Sequence, residues 1–210
     1  WLTSPTDSSE LASSLSYYYL AGMLIRQGVV DASDCSDYGM QDDVIASECG
    51  VEKAQAEMLV WQNYFDEEIL HVSDETGVPA QLLKNVFSRE SQFWPGIYQK
   101  FEEAGLGQLT EKGADAVLLW NPSFYDQFCP LILSANICAL GFGNLDETSQ
   151  NMLRGALVST VNATCLDCPM GIDLSQANFS VNVFAETLLA NCVQVEQIYY
   201  NTTTKPAGSF

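Results

Sequence analysis

The residue of this chain that best suits catalysis by position is Glu90, in the stretch LLKNVFSRESQFWPG at 82–96. Apolar residues recur before it at helical spacing, at Leu82, Leu83, Val86 and Phe87. Glu90 follows Phe87 by three positions and Val86 by four, so it continues their face of the helix. A carboxylate in apolar surroundings favours its neutral, protonated form. A general acid needs that form to protonate a leaving oxygen near neutral pH.

A structural explanation of Glu90 competes with the catalytic one. A glutamate at a helix end can simply be exposed, or it can pair with Arg89 or Lys84. Glutamate is rarely buried unless it is paired, so the periodicity alone favours this alternative.

Other kinds of catalytic chemistry find little support in the sequence. His71 is the one histidine, and its place near the end of a predicted helix suits a structural role. No phosphate-binding loop, dinucleotide fingerprint or HExxH motif occurs, and we predict neither a cofactor nor a resident metal. The formal charge of −19, with eight Lys and Arg, argues against a nucleic-acid partner.

Seven cysteines in 210 residues indicate an oxidising, extracytoplasmic compartment, which would be the periplasm, the cell surface or the exterior. The simplest disulfides join Cys35 to Cys49, Cys129 to Cys138 and Cys165 to Cys168, and they leave Cys192 unpaired. A zinc site is the rival, with the CxxC at 165–168 completed by Cys129 and Cys138. No apolar run is long enough to cross a bilayer, and we predict no transmembrane segment.

The periodicity of the apolar residues predicts a mostly α, single-domain protein without convincing strands. We expect a first helix over Ser9–Gln27, a second over Val51–His71 and a third from Pro79 to near Phe93. Later helices are expected from about Thr110 to Trp120, in the segment after Asn121, in the segment before Cys165, and over the long stretch that ends near Tyr200.

Three pieces in order resemble the catalytic core of the soluble-type lytic transglycosylases, which are relatives of goose-type lysozyme. They are a Gly-Val-Pro helix start (Gly77 to Leu83), a Glu-Ser pair followed by an aromatic residue and a proline (Glu90 to Pro95), and a Gly-Leu-x-Gln-Leu turn (Gly105 to Leu109). The match covers about 75–120, and 178–192 weakly resembles a later helix of the family.

The resemblance implies a compact lysozyme-like helical domain at 29–200, with a cysteine-containing insertion at about 120–174. An N-terminal arm and helix would occupy 1–28, and a polar tail or linker 201–210, with further domains possible beyond it. Glu90 would be the acid/base and Ser91 would support it. The cleft wall would be formed by Gly105, Leu106, Gly107 and Gln108. Phe93 and Tyr98 could stack on sugar rings or could equally belong to the core.

The chain departs from the family pattern at several points. The family usually has Met where this chain has Gly107, and the proline soon after the turn is missing. The later Ala-Tyr-Asn-Ala-Gly segment, which supplies a cleft tyrosine, is also absent, so either Tyr199 or Tyr200 replaces it or the missing part lies beyond Phe210.

The function that the resemblance implies is cleavage of the β-1,4 bond between N-acetylmuramic acid and N-acetylglucosamine in peptidoglycan, with a 1,6-anhydro product. A muramidase-type hydrolase would need a second carboxylate, for which Glu102 and Glu103 are the nearby candidates. Two alternatives stay open: an inactive glycan-binding module, and a disulfide-stabilised extracellular interaction domain.

Overall fold

The computed structural model describes residues 5–96 and 103–203, with side chains as far as residue 200. These ranges form nine α-helices and contain no β-strand, only isolated bridges between single residues. The helices are α1 (Tyr18–Arg26), α2 (Glu48–Asn63), α3 (Asp66–Thr76), α4 (Ala80–Glu90), α5 (Glu111–Trp120), α6 (Pro122–Phe128), α7 (Ala135–Cys138), α8 (Glu147–Val161) and α9 (Leu174–Thr203). The mostly α class predicted from the sequence is therefore confirmed.

The first predicted helix, Ser9–Gln27, is wrong in its N-terminal half. Only a short 3₁₀ turn at Ser8–Leu11 precedes α1, and the residues between them are not helical. The backbone N–H groups of Ser13 and Leu15 donate to the side chains of Asn63 and Gln62, respectively, instead of to a helical carbonyl. These hydrogen bonds to side chains of α2 keep residues 12–17 from forming a helix.

The second predicted helix, Val51–His71, is two helices. Tyr64 and Phe65 form a turn between α2 and α3, and Phe65 is fully buried there. Without this change of direction α3 would simply extend α2. Because of it, Asp66 at the start of α3 comes to face Lys84 of α4.

Helix α9 is shared by two hydrophobic clusters. Ala177, Val181 and Ala185 belong to a cluster formed mainly by α1 to α4. Val183 and Ala190 belong to the second cluster, which contains residues of α5, α6 and α8. The segment 120–174, which we expected as an insertion, contributes α6 to α8 and packs mostly in this second cluster.

Three disulfides join the cysteine pairs expected from the sequence: Cys35–Cys49, Cys129–Cys138 and Cys165–Cys168. Cys192 is free and exposed on α9. In the ranges 5–96 and 103–203, no three His, Cys, Asp or Glu side chains cluster as metal ligands would. The four cysteines of the zinc alternative are paired with one another in two of these disulfides. No helix in these ranges has the length and apolarity that crossing a membrane requires.

Candidate functional site

Glu90 is the last residue of α4, and its side chain is exposed. The expectation that it continues the buried apolar face is wrong, because that face consists of Ala80, Leu83, Lys84 and Phe87. Among the described residues, the Glu90 carboxylate makes no ion pair with Arg89 or with Lys84. Within 5–96 and 103–203 this exposed carboxylate has no cationic partner.

The charged residue that α4 does bury is Lys84, which is 5% exposed. Its ammonium donates to both carboxylate oxygens of Asp66, at 2.6 and 2.8 Å, and to Oδ1 of Asn63 at 2.8 Å. Burial raises the pKa of Asp66 and lowers the pKa of Lys84. The sequence did not reveal this pair, because its partners lie on different helices and neither belongs to a recognised motif.

The chain leaves α4 through a tightly fixed turn. Ser91 is buried, and its hydroxyl donates to the carbonyl of Phe87 at 3.1 Å. Gln92 and Phe93 both have positive φ, at 49° and 65°. Two long-range hydrogen bonds hold these residues in that conformation. Gln92 Oε1 accepts from the backbone N–H of Tyr19, and the Phe93 carbonyl accepts from Trp61 Nε1. The end of α4, and Glu90 with it, is therefore anchored from α1 and α2.

Phe93 is fully buried and packs edge-on against Tyr17, with ring centroids 5.8 Å apart. Its ring is part of the core. Of the two readings left open for Phe93, the structure thus places it in the core instead of on an open sugar-binding face.

The glycine turn is a short closed loop. Ala104 and Leu109 exchange two backbone hydrogen bonds, of 3.2 and 2.7 Å, across its base. Inside it Gln108 has φ 49°, and its Nε2 donates to the Gly105 carbonyl at 2.7 Å. Leu106 is buried, and its N–H donates to the hydroxyl of Ser180 on α9. The turn is thus docked on α9.

Gly107 lies against the ring of Phe184 on α9. A Cβ added at residue 107 would lie 2.6 Å from Cε2 of Phe184 and closer still to Cγ and Cδ2. The ring therefore fills the space that a side chain at residue 107 would need. This is a physical reason for glycine at residue 107.

The same Phe184 ring also contacts α4. Its centroid lies 5.5 Å from that of Phe87, in an edge-to-face arrangement. Phe87 is one turn before Glu90, and Gly107 is next to Gln108. One aromatic side chain of α9 thus connects the end of α4 to the glycine turn.

Gln108 carries a buried polar atom without a partner. The residue is 7% exposed, and no hydrogen-bond donor in the described parts of the chain reaches its Oε1. An unsatisfied buried acceptor costs about 1–3 kcal/mol. Such a cost is tolerated most readily where a ligand supplies the missing donor.

The remaining predicted site residues do not gather at the glycine turn. Tyr199 is exposed on α9, fifteen residues beyond Phe184, which corresponds to roughly 22 Å along a helix. It lines an apolar groove with Leu82 and Val195 instead. Glu103 is partly buried just before the turn, whereas Tyr98 and Glu102 lie outside the described residues.

No family model, curated protein or solved structure matches this chain.

Proposed function

We propose that this protein cleaves the glycosidic bond between N-acetylmuramic acid and N-acetylglucosamine in peptidoglycan, with Glu90 as acid/base. The observation that carries the proposal is the joint contact with Phe184. It links the helix that ends in the unpaired carboxylate of Glu90 to the turn that holds the unpartnered oxygen of Gln108. The lysozyme-like fold and the roles of Ser91, Gly105 and Leu106 belong to the same proposal.

The proposed reaction needs one protein carboxylate. Protonated Glu90 gives its proton to the glycosidic oxygen, and the bond from that oxygen to the anomeric carbon of muramic acid breaks. The N-acetyl group of the substrate stabilises the positive charge at that carbon. Ionised Glu90 then takes the proton of the muramic 6-hydroxyl, whose oxygen bonds to the anomeric carbon. The product is a 1,6-anhydro sugar, and no water is consumed.

Exposure of Glu90 fits this role once a glycan covers it. Before binding, the carboxylate is solvated at the end of α4. A sugar chain over the glycine turn would exclude water from that carboxylate. Gln108 Oε1 would accept a hydrogen bond from the substrate, which satisfies the buried acceptor.

The three disulfides support an extracytoplasmic location, because such bonds persist in oxidising compartments. Peptidoglycan lies in the same kind of compartment. The substrate and the protein would therefore meet outside the cytoplasm.

The test is digestion of purified peptidoglycan followed by mass spectrometry of the products. Anhydro-muropeptides are expected from the wild type, with a loss of at least about 100-fold in Glu90→Gln, as removal of a general acid typically causes. Glu57→Gln, an exposed glutamate on α2, is the matched control and should retain full activity. Reducing-end products would instead indicate a hydrolase that uses a second carboxylate.

A glycan-binding module without turnover is the second candidate. It is favoured by the distance of Tyr199 from the glycine turn, because Tyr199 is a residue that was expected to supply the cleft tyrosine. Sedimentation of the protein with peptidoglycan, unchanged in Glu90→Gln and without soluble products, would identify this function. No binding and no cleavage would refute both candidates.

A further inference from the structure

A separate cavity lies between the N-terminal segment and α4. Its volume is about 230 Å³, and its polar lining comes from Glu10, Ser13, Tyr17, Gln81, Asn85 and Ser88. We call it the arm pocket. One of its walls is the side of α4 that carries Gln81, Asn85 and Ser88. Glu90 and Leu82 lie on a different side of the helix.

The walls of the arm pocket are held in place by hydrogen bonds from α2. Asn63 accepts from the backbone N–H of Ser13, and Gln62 accepts from the Ser13 hydroxyl at 2.9 Å. Two further lining residues, Tyr17 and Ser88, are hydrogen-bonded to each other through their hydroxyls at 2.7 Å. The cavity is therefore formed before any ligand arrives, which is typical of small-molecule sites.

The charges of the arm pocket disfavour an anionic ligand. Lys84 is the one cationic side chain of the lining, and its three N–H donors already face Asp66 and Asn63. The carboxylate of Glu10 and the overall charge of −19 would repel phosphates and carboxylates. A ligand of this cavity should therefore not be an anion.

The uncommitted polar groups of the arm pocket point to a ligand with several hydroxyls. Oε1 of Gln81 is buried without a hydrogen-bond partner. Asn85 is exposed, and its side-chain amide has no bond to the described residues. Tyr17 and Ser88 keep donor or acceptor capacity beyond their mutual bond. Leu15, which is 56% exposed, adds an apolar surface. Hydroxyls, amides and an apolar surface together match a sugar ring, which has polar edges and apolar C–H faces.

We propose that the arm pocket binds one neutral sugar ring, either a free monosaccharide or the end of a glycan chain. Its volume is below the 300–1,000 Å³ that is common for drug-sized ligands, so a single ring is the appropriate size. This site does not depend on Glu90, and it can exist whether or not the chain cleaves peptidoglycan.

The test is a titration of the ¹⁵N-labelled full chain with N-acetylglucosamine, followed by amide chemical shifts. Saturable shifts are expected in the segment 10–17 and in the first two turns of α4. A titration with the β-1,4-linked tetramer distinguishes the sources: tighter binding than the monomer indicates the end of a glycan chain. Equal affinity indicates a free sugar.

Two variants examine the assignment. Asn85→Ala should weaken N-acetylglucosamine binding at least about fivefold, a loss of the size expected for one hydrogen bond. Gln81→Leu should also weaken it while the melting temperature stays equal or rises, because it removes a buried unpaired acceptor. Asn191→Ala on α9, away from the arm pocket, is the control and should bind as the wild type does.

Three outcomes would overturn the proposal. One is the absence of saturable shifts in the arm pocket, and another is full binding by Asn85→Ala and Gln81→Leu. The third is a titration with inorganic phosphate that shifts the same amides at lower concentration than the sugar.

Discussion

Alanine at residue 107 is expected to destabilise the protein through one collision with Phe184. The added Cβ would lie 2.6 Å from Cε2 of the ring, whereas ordinary contact begins at 3.4 Å. The ring must therefore move by about 1 Å or more, and it is held on its other side by Phe87 at a centroid distance of 5.5 Å. Overpacking of this kind costs about 1–3 kcal/mol.

The backbone contributes little to this expected cost. Gly107 is not among the residues with positive φ, so alanine suits its conformation. Gly155 in α8 is the matched control, since a Cβ there meets no atom within 4 Å. Gly155→Ala should stabilise by up to about 1 kcal/mol through helix propensity.

The assay is urea denaturation of the wild type and of both variants, with the free energy of unfolding obtained by linear extrapolation. For a chain of this size each kcal/mol also shifts the melting temperature by about 2–4 °C. Unchanged stability of Gly107→Ala would refute the packing that connects α4, α9 and the glycine turn.

A double variant tests the same packing in the opposite direction. Phe184→Ala removes the ring, at a cost below the 3–5 kcal/mol usual for a fully buried Phe, because Phe184 is only partly buried. Gly107→Met then refills the space, as in the family that the turn resembles. The double variant should be more stable than the sum of the single effects by about 1 kcal/mol or more. If the changes in unfolding free energy of the two single variants simply added up, this would contradict the idea that the Phe184 ring and a side chain at residue 107 compete for the same space.

The remaining predictions concern the buried ion pair and one disulfide. Lys84→Met alone should cost about 3–5 kcal/mol because it leaves Asp66 buried without a cation, whereas the double variant Asp66→Leu/Lys84→Met should recover most of that loss in urea denaturation. Burial raises the pKa of Asp66 above its unfolded value and lowers the pKa of Lys84 below its own. Relative to the double variant, the unfolding free energy of the wild type should therefore fall as the pH rises from about 4 through the folded pKa of Asp66. It should recover as the pH rises from the folded pKa of Lys84 towards about 10.4. If the difference in unfolding free energy between the wild type and the double variant did not change with pH, this would contradict the burial of the pair. Replacing both Cys129 and Cys138 by Ala should lower the unfolding free energy by about 2–3 kcal/mol, because the disulfide closes a loop with a sequence separation of 9 in the unfolded chain. Calorimetry measures this loss, and an unchanged stability would show that the bond does not constrain the unfolded chain.

Features encoded by neighbouring residues could be predicted from the sequence. The disulfides join cysteines that lie close in the chain, so proximity alone suggested the pairs. Helix α5 begins after Thr110, whose hydroxyl accepts from the N–H of Gly113, and this is a local capping signal. The proline and glycine after Phe93 likewise indicated that α4 must end near there.

Features that depend on distant residues could not be predicted in this way. The non-helical segment before α1 is fixed by Gln62 and Asn63, which lie 47 and 50 positions from the residues that they bind. The reason for glycine at residue 107 lies in Phe184, on another helix. The periodicity of α4 placed Glu90 on a buried face, but the burial of a helix end depends on what packs beyond it. No rule of spacing contains that information.

The sharing of α9 between both hydrophobic clusters has a consequence for biosynthesis. Neither cluster is complete without residues from 177–190, which leave the ribosome after all of α1 to α8. The helices α1 to α8 therefore emerge before the surface that closes their cores exists, and the two clusters must acquire their native packing together, after α9 has emerged. Truncation within α9 should accordingly release the whole protein to proteolysis instead of sparing an N-terminal half.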